Sequence, residues 1–273
     1  MKTKRDFLRL LIFLVTSCLA GPALAGQALQ TINIATSAAG QSGYIAALIE
    51  NKKLDTKHGI KINNMMMDFT EAANAVKLGR TTASSMQPST AVNLVKSGTD
   101  IRLITPQIWS GNSWVVRKDA PYKSFGDLKG KKIGNFARVT GAYFFSAVIA
   151  KEQKLDIELE NIFGAPPLKS TVGMLKETVE KQPALVKAIR SAYGDAIQVI
   201  KAGQDEEFFK SKAKELFNLS TPEEITAGLK QNKANFADKW GESFFQSQNK
   251  ILQSGISLGL LPNIGDLNNL WIK

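Results

Sequence analysis

From Thr31 onward the apolar positions switch repeatedly between a period of two and a period of three to four. Thr31-Ile32-Asn33-Ile34-Ala35 alternates and is β-branched, which predicts a strand. Small residues fill 37–43, and Tyr44, Ala47, Leu48 and Leu54 then recur at helical spacing up to a stop at His58-Gly59. Ile60-Lys61-Ile62 predicts a second strand, and 71–78 a short helix with Ala72, Ala75 and Val76 on one face, closed by Gly79. Ala83-Ser84-Ser85-Met86 predicts a small buried strand, 90–96 a helix stopped at Gly98, and 101–104 another strand. Regular strand–helix alternation of this kind predicts a doubly wound α/β unit.

A second unit begins near Trp109. It is predicted to hold strands at 113–117, 131–134 and 161–163, a short helix at 124–128 and a longer one at 140–151. Gly164-Ala165-Pro166-Pro167 interrupts it. The last hundred residues then read as helical. Leu185, Ile189, Ala192, Ala196 and Ile200 share one helix face, with Pro183 near the start where proline is tolerated. Thr221-Pro222-Glu223-Glu224 carries a capping threonine, a first-turn proline and a glutamate three residues on. Trp240, Phe244, Ile251 and Leu258 mark a further helix.

The first 25 residues follow another pattern. Lys2, Lys4, Arg5 and Arg9 precede an apolar run at 10–15 that continues weakly to Ala20. Gly21-Pro22 breaks the run, and Ala23-Leu24-Ala25 supplies small residues before a cleavage point. This is a secretory signal peptide pattern, and its apolar core is shorter than the roughly 20 residues that span a bilayer. A periplasmic location is expected. Val15-Thr16-Ser17-Cys18 also resembles a lipoprotein box, which would tether the protein through Cys18. Cleavage after Ala25 is preferred, because Ala23-Leu24-Ala25 follows a helix breaker. It would remove the only cysteine, and taking 25 residues from 273 leaves 248.

Composition narrows the chemistry. Loss of the four basic residues and Asp6 takes the net charge from +11 to +8. The remaining lysines are spread evenly, with no basic run interleaved by aromatics, so a nucleic-acid partner is not expected. His58 is the one histidine, and a helix-ending role beside Gly59 explains it. Without cysteine or further histidine, a zinc-type metal site is not expected, and no cofactor is. No nucleophile elbow or glycine-rich nucleotide loop is present either, so the chain reads as a non-enzyme. Met65-Met66-Met67 reads as a buried strand end.

Binding has more material. Doubly wound sheets hold ligands beyond the C-terminal ends of their strands, where loops meet helix N-termini. Small polar residues occur there after the first strand (Ser37, Ser42 and Gly43, with Tyr44) and after Met86 (Gln87, Pro88 and Ser89). A third such loop opens the helix near 140, with Thr140, Gly141 and Tyr143. Trp109 and Asn112 lie at the crossover between the units, where they could stack on or bond to a ligand. Exposed backbone N–H groups at such loops suit an anion or a polar solute. Ordinary helix capping by Ser or Thr is the competing explanation for each loop.

These residues resemble the substrate-binding proteins of bacterial ABC importers for nitrate, aliphatic sulfonates, taurine and thiamine-pyrimidine precursors. The matching stretches include Gly43-Tyr44-Ile45, Lys57-His58-Gly59-Ile60, Gln87-Pro88-Ser89-Thr90 and Trp114-Val115-Val116-Arg117-Lys118-Asp119. The most telling is Asp127-Leu128-Lys129-Gly130-Lys131-Lys132-Ile133-Gly134. The resemblance implies a two-lobed type II periplasmic-binding-protein fold that closes on a small-molecule solute, a monomer delivering it to an ABC-transporter permease. Pro166-Pro167 passes almost directly to Thr171-Val172-Gly173-Met174, so about 60 residues of the family pattern, half a small domain, are absent and the second lobe is shortened. The expected organisation is a signal peptide at 1–25, a first lobe at 26–110, a shortened lobe at 111–168, and C-terminal helices at 169–273 packing back on the first lobe. Two alternatives stay open: a relative that has lost ligand binding and serves as a partner-binding module, and an enzyme like the fungal pyrimidine synthases of the same fold, using His58.

Overall fold

The structure is a computed structural model that describes residues 29–109, 116–134, 141–155, 158–160, 169–238 and 240–273. The expected signal peptide, Cys18, Asn112, Thr140 and the predicted strand at 161–163 lie outside the described residues. Among the described residues no helix is long and apolar enough to cross a membrane.

In chain order the strands are β1 (Gln30–Thr36), β2 (Ile60–Met66), β3 (Ala83–Met86), β4 (Ile101–Ile108), β5 (Lys132–Gly134), β6 (Glu158–Glu160) and β7 (Ser170–Leu175). The helices are α1 (Gly40–Asn51), α2 (Phe69–Lys77), α3 (Pro88–Lys96), α4 (Gly141–Glu152), α5 (Lys176–Lys181), α6 (Pro183–Ala202), α7 (Glu206–Phe217), α8 (Pro222–Asn235) and α9 (Glu242–Ser257).

Five strands form one mixed sheet in the order β2-β1-β3-β7-β4. β1 and β3 run parallel, with Ile34 opposite Ala83. β7 returns antiparallel to both β3 and β4, which makes β4 parallel to β3. The Met67 N–H donates to the Thr36 carbonyl at 2.9 Å, which brings the end of β2 beside the end of β1. The C-terminal ends of β1 to β4 and the start of β7 therefore share one sheet edge.

Both faces of this sheet are covered, as its near-continuous apolar strands require. On one face Ile32, Ile34 and Ile104 pack with Tyr44, Ile45 and Leu48 of α1, Leu185, Ile189 and Ile197 of α6, and Phe209 of α7. On the other, Met86, Ile101 and Leu103 pack with Val76 of α2, Val92 of α3, Phe145 of α4, Phe244 of α9 and Trp271. Each fully buried large apolar side chain contributes about 1.5–3 kcal/mol.

Among the described residues the second lobe is small: β5 and β6 pair in parallel, joined through α4. Helix α4 packs against α3 and α9. Gly255 permits the second contact, because a Cβ there would run into the Phe144 ring. The C-terminal region is helical from α5 to α9, apart from short turns and a tail.

Several sequence expectations are corrected. β4 continues to Ile108 rather than stopping at 104, because register shifts on either side of Thr105-Pro106 let the proline lie within it. Residues 116–117 carry no regular structure, so that part of the predicted strand at 113–117 is absent. Met66 does lie at a strand end, but it is 49% exposed rather than buried. Trp240 precedes its helix instead of joining it, and its indole N–H donates to the Ile272 carbonyl at 2.8 Å. The predicted cap of α8 is present: Thr221 Oγ1 accepts from the Glu224 N–H at 3.2 Å, and a Glu224 carboxylate oxygen accepts from the Thr221 N–H at 3.0 Å.

Candidate functional site

The edge where β1, β3 and β4 end carries two helix N-termini. Helix α1 starts just after β1, with Ala39 at its N-cap and no side-chain capping bond. Helix α3 starts just after β3, with Gln87 at its N-cap and again no side-chain bond. Neither has an acidic residue in its first turn. The first N–H groups of a helix are unsatisfied and carry partial positive charge, so two uncapped starts on neighbouring strands make an electropositive strip.

Lys169 lies at the same sheet edge. Its backbone N–H donates to the Ile108 carbonyl at 2.9 Å, at the end of β4. β7 pairs Thr171 with Met86, so Lys169 stands next to the strand end that continues into Gln87 and Pro88. Burial pulls its amine below the usual lysine range. Among the described residues its side-chain amine has no hydrogen-bond or ion-pair partner. A desolvated cation without a partner is costly, and an anion beside it would offset that cost. Gln87 has a buried side-chain oxygen with no partner among the described residues, an acceptor that calls for a donor rather than for an anion.

Below these groups lies a belt of five buried side chains from the edge ends of four strands, two of them from β7. Gln107 donates to Ser85 Oγ at 3.1 Å, and Ser85 donates to Thr36 Oγ1 at 3.2 Å. The Ser170 hydroxyl donates to the Gln107 side-chain oxygen. Thr36 in turn donates to the Ser42 carbonyl at 3.4 Å, and Thr171 to the Met86 carbonyl at 2.9 Å. All five side-chain donors are fully buried. A satisfied buried network of this kind fixes its members rigidly, here the strand ends that launch α1 and α3.

The residues proposed from sequence fall into several groups. Ser37, Ser42 and Gly43 sit at the start of α1, and Gln87, Pro88 and Ser89 at the start of α3, on adjacent strands. Gly43 is buried, and a Cβ there would meet the Ser37 and Ala38 carbonyl oxygens at 3.0 Å, so the glycine lets the loop fold down on the helix. Ser37 bonds within its own turn, its hydroxyl donating to the Ala39 carbonyl at 3.3 Å. Tyr44 points away from the edge: it is fully buried and its hydroxyl donates to Asp205 Oδ2 at 2.6 Å. Its ring lies among Phe208, Phe209, Phe217 and Phe236. It is a core residue, and its assignment as a ligand contact is withdrawn. Trp109 ends β4 on the same edge, half-buried, with its ring 5.3 Å from that of Phe244. Gly141 and Tyr143 open α4 in the other sheet's unit.

Lys169, Gln107 and the belt hydroxyls were not anticipated from sequence. The available signal was polarity in strand positions, at Ser84-Ser85, Gln107 and Ser170-Thr171. His58 lies at the opposite edge, before β2, with Nε2 2.9 Å from Asp195 Oδ2. Lys57 reaches the same oxygen at 2.6 Å. Burial would raise the Asp195 carboxyl, and these two partners outweigh it and hold the group below its ordinary value. Among the described residues no cluster of three or more His, Cys, Asp or Glu could hold a metal ion.

No family model and no curated protein matches the sequence. Solved structures do match. The periplasmic aliphatic sulphonate binding protein SsuA from Escherichia coli is 14% identical over 88% of this chain and 97% of that one, with a TM-score of 0.67. The periplasmic nitrate-binding protein NrtA from Synechocystis PCC 6803 is 14% identical over 89% and 86% of the two chains, with a TM-score of 0.61. A Candida albicans protein described as having the generic periplasmic binding protein fold is 12% identical over 90% and 97%, with a TM-score of 0.64. The chain has that fold, with a helical C-terminal region and, among the described residues, a small second lobe.

Proposed function

We propose that this chain is an extracytoplasmic solute-binding protein that captures a small anion and delivers it to the permease of an ABC importer. The observation that carries this reading is Lys169, a desolvated cation without a partner among the described residues, beside the uncapped starts of α1 and α3. The anion sits between the Lys169 amine and the first-turn N–H groups of both helices, over the buried belt. Nitrate and sulfonates fit this donor set better than an uncharged pyrimidine. The names of the structural neighbours, one sulphonate-binding and one nitrate-binding, support the same class.

Trp109 is assigned to the first-lobe edge, and Asn112 and the loop at Thr140, Gly141 and Tyr143 to the other wall, which closes on the ligand. The pattern at 1–25 supports export and cleavage after Ala25, giving a free monomer in the periplasm. The reading assigns no catalysis, and His58, at the opposite sheet edge, would not meet a ligand held at this one.

Isothermal titration of the mature chain with nitrate, ethanesulfonate, taurine and a hydroxymethylpyrimidine tests the reading. Binding of nitrate or ethanesulfonate is expected, weakened at least about tenfold in Lys169→Met, as loss of a charge-assisted contact requires. No heat from either anion, or equal affinity in the variant, would contradict it.

A further inference from the structure

The sheet edge opposite the anion site carries a different kind of surface. β1, β2 and β3 run the same way and end together, so the connections that enter β2 and β3 lie at that opposite edge. β2 and β3 flank β1, which puts the two connections about 10 Å apart along the sheet. The first holds Lys52, Lys53 and Lys61. The second holds Lys77, Leu78 and Arg80. There the Gly79 N–H donates to the Val76 carbonyl at 3.1 Å and the Arg80 N–H to the Ala75 carbonyl at 2.9 Å, closing the last turn of α2 with main chain. All five basic residues are exposed. Leu78, at 61%, is the most exposed large apolar side chain among the described residues.

None of these five cations has an ion-pair partner among the described residues. Lysines elsewhere differ: Lys181 is paired with Glu177, Lys210 with Glu206, and Lys212 with Glu215. Residues 50–61 and 77–82 hold six Lys or Arg against two carboxylates, Glu50 and Asp55, so positive charge predominates there. Asp55 is buried and accepts from the Thr56 and Ile62 N–H groups, both at 2.8 Å. Asp195 of α6 is engaged by Lys57 and His58. Asp100, farther along the edge, is engaged by Arg102 and Lys176. Glu50 is the exposed carboxylate left to oppose the five cations.

We infer that this edge docks reversibly on an anionic phospholipid surface, with the five cations over the headgroups and Leu78 entering the interface. Cations spread over two connections match a plane of like charges, and flexible lysine stems adapt to headgroups that move. Leu78 decides between a bilayer and a soluble polyanion. An exposed leucine between Lys77 and Arg80 gains nothing from a polyanion, whereas at a bilayer it buries apolar area beneath the charged layer. The anion site lies at the other sheet edge, so docking here leaves it open to its ligand. The inference stands whether or not Lys169 holds an anion.

The test is co-sedimentation of the mature chain with vesicles of phosphatidylglycerol and phosphatidylcholine in equal parts, and with phosphatidylcholine vesicles alone. Binding to the anionic vesicles only is expected, falling as salt rises. The triple variant Lys52→Gln/Lys61→Gln/Arg80→Gln should lose at least about tenfold in partitioning, since each basic residue at an anionic surface contributes roughly fivefold. Lys214→Gln/Lys230→Gln/Lys250→Gln removes the same charge from exposed positions on α7, α8 and α9 and should lose less than about threefold, because distant charges are screened. Leu78→Ser should lose at least about threefold. Circular dichroism verifies that each variant, altered only at exposed positions, is folded. Three results overturn the inference. They are no binding to anionic vesicles, equal losses in the two triple variants, which would assign binding to net charge alone, and unchanged binding in Leu78→Ser, which would make the edge a surface for polyanions in general.

Discussion

Tyr44 and Lys169 are both polar groups with little access to water, and they differ in whether the chain provides a partner. The Tyr44 hydroxyl donates to Asp205 Oδ2 at 2.6 Å, and burial followed by the Asp205 bond and charge drives its pKa upward. Tyr44→Phe would leave Asp205, which is 2% exposed, without its recorded side-chain partner. A loss of about 1.5–3 kcal/mol in urea unfolding is expected, with anion affinity unchanged. Lys169 predicts the opposite pair of effects. Its depressed pKa means that the charged form is disfavoured in the folded state. Between that value and the unfolded value of about 10.4 the unfolded chain holds more protons, so stability rises with pH there. Lys169→Met should therefore raise stability near neutral pH while weakening anion binding. Anion affinity in the native chain should hold steady below the depressed pKa and fall above it, before an ordinary lysine deprotonates. Titrations across the alkaline range measure that fall.

At the scale of elements, the ends of β1, β3, β4 and β7 are joined by side chains as well as by the backbone ladder. Gln107 is the centre of that belt, donating to Ser85 and accepting from Ser170. Gln107→Leu would strand the Ser170 hydroxyl in the core and remove the donor to Ser85, which keeps its bond to Thr36, and a loss of about 1–3 kcal/mol is expected from the one unsatisfied group, read by urea denaturation. If the belt holds the starts of α1 and α3 in register, the same variant should also bind its anion more weakly, whereas Tyr44→Phe should not. The element pattern was legible because period-two and period-3.6 runs are set locally: β1, β2, β3 and most helices fall where the sequence predicts them. β4 was read four residues short because Thr105-Pro106-Gln107 looks like a strand stop. Gln107 is part of the belt, and its partners on β3 and β7 make it suitable for a strand interior. The site was legible as two loops with small polar residues. Lys169 was not, because its significance depends on desolvation and on the return of β7 between β3 and β4, neither of which leaves a local trace. Tyr44 was misassigned for a related reason: spacing placed it in the first turn of a helix but not on the face turned toward Asp205.

At the scale of the molecule, the chain has the periplasmic binding protein fold while its second lobe, among the described residues, offers two short strands and one helix. The first lobe alone supplies the electropositive edge: two uncapped helix starts and the Lys169 amine. Ligand capture in this account depends mainly on that lobe, so a reduced partner lobe is compatible with binding. The most direct measurement is a crystal structure of the mature chain with ethanesulfonate or nitrate. The account predicts the anion within hydrogen-bond distance of the Lys169 amine and the first-turn N–H groups of α1 or α3. An anion bound elsewhere at saturating concentration, with this edge empty, would contradict it.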